Sequence, residues 1–354
     1  MIIQSLTLKG FRNHEHLTYE FIPGINVITG PNGVGKTNVV EAIYYLSLLK
    51  SFRLNDDEGL IQKGRDNAEI FAEILEGKIK RKIDVRLTPE NHIITINGKS
   101  SNRSSLIQNV NVIMFEPKDV LLFRGSPKAR RDFLNVSLAK KSASYLDYIT
   151  RYQKVLKERN DLLKSEKVDK TLLEATTEML IKLSGPIVTY RQMYVKDIND
   201  ILNKITRALT GEENNLELIY KPFVENSVDF QEKALEAFKR VEETDLKQKA
   251  TSIGIHREDF SMNLNGRDVG DYGSQGENRI AALALKLSPY FLIEDKDRRP
   301  IVVLDDVMSE LDKNHRQRLI TFLKKFEQVF ITATQLEVTG AKQFQIQKKK
   351  KEVF

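Results

Sequence analysis

One octapeptide constrains this chain more than any other feature. Gly30-Pro31-Asn32-Gly33-Val34-Gly35-Lys36-Thr37 fits the pattern GxxxxGK[ST]. It follows a short apolar run, 24–29, and precedes a stretch, 38–49, with apolar residues at helical spacing (Val39, Ile43, Leu46). Strand, glycine-rich loop and helix, in that order, form the context in which the pattern binds phosphate. Glycines let the backbone turn its N–H groups inward toward phosphate oxygens. The following helix aims its positive end at the same anion. Lys36 supplies a point charge for the β- and γ-phosphates, and the Thr37 hydroxyl can ligate Mg²⁺. All eight residues are therefore nucleotide-binding candidates, with ATP and Mg²⁺ as the implied cofactors, in a chain of the α/β class.

A second element completes such a site. Ile301-Val302-Val303-Leu304 is a β-branched run flanked by Pro300 and Asp305, as expected of a buried parallel strand. A strand ending in an acid places a carboxylate beside the phosphate loop. Asp305 is expected to join the Mg²⁺ shell and Asp306 to orient the attacking water, with Lys36 and Asp306 as the catalytic candidates. Acids also end strands simply as turn or cap residues, and that reading stands beside the functional one.

Composition narrows the setting. The 354 residues suggest about two domains. With 40% hydrophobic and 30% charged residues, the chain reads as globular rather than disordered. It has no cysteine, which excludes a disulfide framework, thiolate zinc and a cysteine nucleophile. The five His show no metal-protease spacing. No apolar run is long enough to span a membrane, and the first residues lack a signal-peptide layout, so a cytoplasmic location is expected. The net charge of +7 permits nucleic-acid binding, but it is spread evenly over the chain. Lys128, Arg130 and Arg131, and the group Lys63, Arg65, Lys80, Arg81 and Lys82, are candidate DNA contacts; such residues are also common on any solvated face. The lysine run at 348–351 reads as a solvated end.

Alternating segments at 69–75, 80–87 and 93–96, punctuated by Gly77, Pro89 and Asn97-Gly98, predict an antiparallel meander. From about 126 to 249, Lys, Glu and Leu dominate, and Tyr148, Tyr152, Val155, Arg159 and Leu162 fall at helical spacing. Gly185-Pro186 and Thr210-Gly211 read as breaks. Sustained heptads are absent, so a long coiled coil is not expected. The expected architecture is an α/β head from 1–125 and 250–354, with an inserted all-helical lobe at 126–249.

A third motif, Ser274-Gln275-Gly276-Glu277-Asn278-Arg279, stands before a predicted helix. Ser274 and the helix end form an anion-binding terminus. Ser274 and Glu277 also have the spacing of an ordinary capping box. In ABC-type ATPases a serine–glycine signature reaches the γ-phosphate held by a second subunit.

Taken in order, several segments carry a resemblance: Leu6 to Asn13, the phosphate loop with Glu41-Ala42-Ile43, Gly125-Ser126-Pro127 with Arg130-Arg131, His256-Arg257-Glu258-Asp259, Ser274-Gln275-Gly276, and Leu304 to Asp312. From residue 2 to about 335 the chain resembles the RecF family of SMC/Rad50-like ATPases. The resemblance implies a P-loop ABC-type ATPase head that forms an ATP-dependent homodimer, binds double-stranded or gapped DNA and hydrolyses ATP slowly. It further implies RecO and RecR as partners and RecA as the protein loaded in recombinational repair of DNA damage. Ser274, Gln275 and Gly276 become the signature offered in trans, and Ser309 to Asp312 the segment at the dimer seam. Arg12 and Asn13 lie where SMC-like heads contact nucleotide.

Three places depart from the family pattern. Glu277-Asn278 stand where two glutamines are common, Ile255 where proline is usual, and Ile331 to Gln335 lack both the frequent aspartate and the switch histidine of transporters. No Q-loop glutamine is evident. The main alternative, an SMC-like head of a DNA-processing ATPase or nuclease subunit, would need an acidic metal-binding domain for which the chain after Asp306 is too short. A long-armed SMC or Rad50 head would need far more coiled coil than the insert provides.

Overall fold

The computed structural model of the protein describes residues 1–54 and 56–347. The lysine run at 348–351 lies outside the described residues. The chain divides into two compact units. The first comprises Met1–Val120, Lys204–Glu213 and the chain from Leu283 onward; the second comprises Leu121–Asn203 and Asn214–Ala282.

The first unit holds two sheets. Five parallel strands lie in the order Lys342–Gln345, Gly24–Thr29, Gln328–Ala333, Ile301–Asp305 and Val112–Phe115. The three central strands are almost wholly buried, which is why they read as continuous apolar runs rather than alternating ones. The second sheet is antiparallel, in the order His14–Glu20, Ile2–Phe11, Ala68–Glu76, Ile79–Leu87, His92–Ile96 and Lys99–Ser101. Here burial alternates along Ala68–Glu76, with Ile70, Ala72 and Ile74 inward. This is the meander expected from the period-two pattern, and a one-residue slip would turn its whole core face to solvent.

The helix Lys36–Leu48 shares one core with both sheets. Val39, Val40, Ile43 and Leu46 join Leu6, Leu8, Ile70, Ile83 and Val85 from the meander and Ile28, Val303 and Phe330 from the parallel sheet. Each such buried aliphatic side chain contributes about 1.5–3 kcal/mol of transfer free energy. The first turn of this helix is therefore anchored by its own apolar face.

The second unit carries the helices Pro127–Lys141, Ala143–Lys164 and Phe230–Gln248, and most of the 41-residue helix Lys170–Thr210. The expected break at Gly185-Pro186 does not occur. Pro186 lies inside the helix although it removes one backbone donor. Ser184, Ile187 and Val188 are fully buried around it, and a side chain on Gly185 would meet the Phe230 ring at 3.5 Å. Tertiary burial and a close ring contact thus override the local breaker signal. The break at Thr210-Gly211 does end the helix.

The stretch 126–249 is not wholly helical. Leu216–Lys221 is a strand, paired with Asp259–Leu264, which in turn pairs with Arg267–Asp268. The six-residue strand was too short to stand out amid helical composition, and its partner lies outside the helical stretch.

Candidate nucleotide site

The site is built where strands of the parallel sheet end. Gly24–Thr29 runs directly into the loop at 30–35, and the helix begins at Lys36. Two glycines are obligatory here. Gly30 has φ +150°, and a Cβ there would lie 2.4 Å from the Ile346 carbonyl oxygen. Gly35, the helix cap, has φ +108°, and a Cβ would lie within 2.7 Å of the Asn13 and His14 side chains. The loop is thus hemmed on one side by the segment after Lys342–Gln345, where Ile346 N–H donates to Thr29 O at 2.8 Å. On the other side stands the hairpin tip Arg12-Asn13.

That tip braces the loop. Asn13 Nδ2 donates to Val34 O at 2.9 Å, and its Oδ1 accepts from Asn38 Nδ2 at 2.8 Å. His14 Nε2 lies 3.1 Å from Gly35 O. Arg12, with φ 54°, makes a two-pronged contact to Glu41 at 2.8 and 2.6 Å and donates to Gly59 O at 2.9 Å. Glu41 is fully buried on the loop's own helix and also accepts from Ser51 Oγ at 2.6 Å. The structure therefore places Asn13 on the phosphate loop and Arg12 on the helix behind it. His14 and Asn38 were not among the predicted site residues, and Glu41 entered only as part of the resemblance.

Lys36 is buried and its Nζ donates to Gly30 O at 2.8 Å and Pro31 O at 3.0 Å. The ammonium thus sits over the loop formed by the residues predicted with it. Thr37 Oγ1 donates to Asp305 Oδ1 at 3.0 Å, so the two motifs, 268 residues apart, meet. Thr332 Oγ1 donates to the same Asp305 oxygen at 2.6 Å and accepts the Asp306 N–H at 3.0 Å. Burial pushes the Asp305 carboxyl above its usual range, and the Asp306 charge adds to this, while the Thr332 and Thr37 hydroxyls pull it back. Asp306 stands at the turn after the strand with φ 51°, and its Oδ1 is buried with no hydrogen-bond partner among the described residues.

These donors suit Mg²⁺. They are hard oxygens, one hydroxyl and two carboxylates, and one carboxylate oxygen is left unsatisfied. Among the described residues no group of three or more His, Asp or Glu could hold a metal alone. Mg²⁺ is commonly held by one or two carboxylates plus substrate phosphates, which matches so sparse a set.

Ser274, Gln275 and Gly276 belong to the second unit. Ser274 and Glu277 form a reciprocal capping box: Ser274 N–H donates to Glu277 Oε2 at 2.6 Å, and Glu277 N–H to Ser274 Oγ at 3.2 Å. The Ser274 backbone N–H, and then its side chain, hold the Glu277 carboxyl below its usual range. Asn278, almost fully buried, donates to Val269 O, Gly273 O and Ser274 O at 2.9–3.1 Å. Glu277 and Asn278 thus fasten the turn that carries Ser274, Gln275 and Gly276.

The family model for the RecF/RecN/SMC N-terminal domain matches residues 2–353. A protein of Alkaliphilus oremlandii, "DNA replication and repair protein RecF", is 36% identical over 350 residues, covering 95% of this chain and 94% of its own. One of the same name from Clostridium perfringens strain 13 is 34% identical over 340 residues, with the same coverage.

The chain belongs to the RecF family.

The solved structure of the recombination mediator protein RecF with ATP, of the RecFOR pathway, superposes with a TM-score of 0.88 at 30% identity, covering 97% of this chain and 95% of that one. The Smc head domain of Pyrococcus furiosus superposes at 0.56 with 17% identity and shows the shared fold alone. The RecF-family fold is thus an α/β ABC-type head with an antiparallel meander and a helical lobe, as the motifs implied. No helix among the described residues is long and apolar enough to cross a membrane.

The expected basic surface is corrected in part. Arg130 is buried, pairs with Asp259 through two bonds of 2.8 and 3.0 Å and donates to the carbonyls of Leu122, Phe123 and Gly125. Arg131 donates to Glu258 O at 2.7 Å. Lys80 and Lys82 face Glu73, and Arg81 pairs with Glu76. Arg130 is a structural cation, and the meander cluster is largely offset by its own acids; Lys63 and Lys128 remain exposed.

Proposed function

We propose that this chain is an ATP-gated DNA-binding protein of recombinational repair, acting as an ATP-dependent homodimer. The single observation that carries the reading is the hydrogen bond from Thr37 to Asp305, which joins the phosphate loop to the acidic strand with Asp306 alongside. The relatives and the ATP-bound structure, all named RecF, support it.

In this reading the loop at 30–37 cradles the triphosphate through backbone N–H groups, and Lys36 moves its charge from the loop carbonyls to phosphate oxygen. Thr37 and Asp305 hold Mg²⁺, which when bound draws charge from the phosphate oxygens. Asp306 orients the attacking water. Asn13, held to Val34, keeps the loop open, and Arg12 keeps the helix behind it in place through Glu41. Ser274, Gln275 and Gly276 of one copy complete the site of the other, so nucleotide favours the paired state. Slow hydrolysis releases the pair. On DNA at gaps the dimer works with RecO and RecR to help load RecA.

The test is molar mass by light scattering for the protein alone, with ATP and Mg²⁺, and for Ser274→Arg, with and without gapped duplex DNA. Doubling only with ATP, lost in the variant, is the expected result. A monomer in every condition despite measured ATP binding would reduce Ser274 to the helix cap that its bonds with Glu277 also describe.

A further inference from the structure

The strand Gln328–Ala333 lies between the strand that enters the phosphate loop and the strand that carries the acids, and its Thr332 pairs in register with Asp305. Thr332 is fully buried. A threonine hydroxyl has one proton to give and two lone pairs. Here the proton goes to Asp305 Oδ1 at 2.6 Å, and one lone pair takes the Asp306 N–H at 3.0 Å. One hydroxyl thus fixes the side chain of the first acid and the backbone of the second.

Asp306 needs such a fixture. Its φ of 51° is a left-handed conformation that a non-glycine residue adopts at a cost of about 1–2 kcal/mol. Its own Oδ1 has no partner among the described residues. The direction of this carboxylate is therefore set by the turn beneath it, and the Asp306 N–H bond to Thr332 holds that turn. Thr37 shares Asp305 Oδ1, so the hydroxyls of Thr37 and Thr332 converge on one oxygen from the two neighbouring segments.

We propose that Thr332 is the positioning residue of the hydrolytic site: its hydroxyl aims Asp306 and orients Asp305 for the metal, without itself touching nucleotide. This rests on the ATPase reading above. The prediction separates chemistry from binding. Thr332→Val keeps volume and removes the hydroxyl; Thr332→Ser keeps the hydroxyl and removes the methyl.

Three measurements on the full chain decide it: kcat and KM for ATP, affinity for a fluorescent ATP analogue in EDTA, and the gain in that affinity on adding Mg²⁺. In Thr332→Val, kcat should fall about 100-fold, the size expected of a small misplacement of a reacting group. EDTA binding should match the wild type, because the phosphate loop is untouched, and KM should rise by no more than the factor that the Mg²⁺-dependent gain loses. The Mg²⁺-dependent gain should shrink. Thr332→Ser should restore kcat and the Mg²⁺ gain together. Wild-type kcat and Mg²⁺ gain in Thr332→Val, or equal impairment in Thr332→Ser, would overturn the inference and leave the ATPase reading standing. A wild-type chain that binds no ATP would overturn both. Should Thr332→Val fail to fold, Thr332→Ala takes its place in the same comparison.

Discussion

The phosphate-loop site of the first unit and the buried polar network of the second use charge in opposite ways. In the first, charged groups keep capacity in reserve: Lys36 rests on two loop carbonyls, and Asp306 Oδ1 has no partner among the described residues. In the second, the charges neutralise one another. Arg191, almost fully buried, pairs with Glu258 and donates to Ile255 O at 2.9 Å and Asn135 Oδ1 at 2.8 Å. Glu258 also accepts from Tyr220 Oη at 2.6 Å and Phe223 N–H at 3.1 Å. Arg159, equally buried, binds Asp245, Thr177 and Thr251 at 2.7–2.9 Å. In these two regions, spare bonding capacity at Lys36 and Asp306 accompanies the candidate site, whereas mutual pairing accompanies a buried polar core.

That contrast breaks most visibly at Arg191. Arg191→Met should leave Glu258 buried without its cation and cost about 3–5 kcal/mol in urea unfolding. Unfolding near wild type would mean that the network is not what holds the second unit.

His256 sharpens it through pH. Tyr152 Oη lies 2.8 Å from its Nδ1 and Thr251 O lies 3.0 Å from its Nε2, and burial lowers its pKa to about 4 from the ordinary 6.5. Arg257 and Arg131 push the same way; Thr251 O and Asp245 oppose them. The unfolded chain therefore binds the proton more readily. The stabilisation is complete above about pH 6.5 and is lost as pH falls toward 4, by about 2 kcal/mol at pH 5. The stability difference between wild type and His256→Asn should shrink by that amount between pH 7 and 5. A pH-independent difference would count against the neutral buried imidazole.

Asn13 tests the other side. Asn13→Ala removes the bonds to Val34 and Asn38. ATP affinity should fall about tenfold, or ~1.4 kcal/mol, while the urea midpoint moves by less. A larger effect on folding than on binding would erase the contrast between the units. The smallest effect is expected at Lys80, exposed and paired with Glu73. Lys80→Ala should change stability by no more than about 0.5 kcal/mol, as read by urea unfolding.

How far the sequence could be read followed the range of the interactions. The loop at 30–37 and the acids after Leu304 were visible because backbone turns and buried parallel strands demand particular residues within a few positions. The meander was visible because its alternation is local. Thr332 was not, since a threonine in a β-branched strand is ordinary until the register sets it opposite Asp305. Leu216–Lys221 was hidden because its partner, Asp259–Leu264, lies about forty residues along the chain. Pro186 misled because ring and donor chemistry predict a break, while burial of Ser184, Ile187 and Val188 keeps the helix intact.

By itself, then, the sequence determined the phosphate loop, the acidic strand, the meander and the family, all of them patterns short enough to be written in consecutive residues. Only the tertiary structure decided which polar groups are satisfied. It gave Arg130 to Asp259, Arg12 to Glu41, and one threonine to both acids. Hydrogen bonds form between groups that folding brings together from distant parts of the chain, and no local pattern records which partner each group meets.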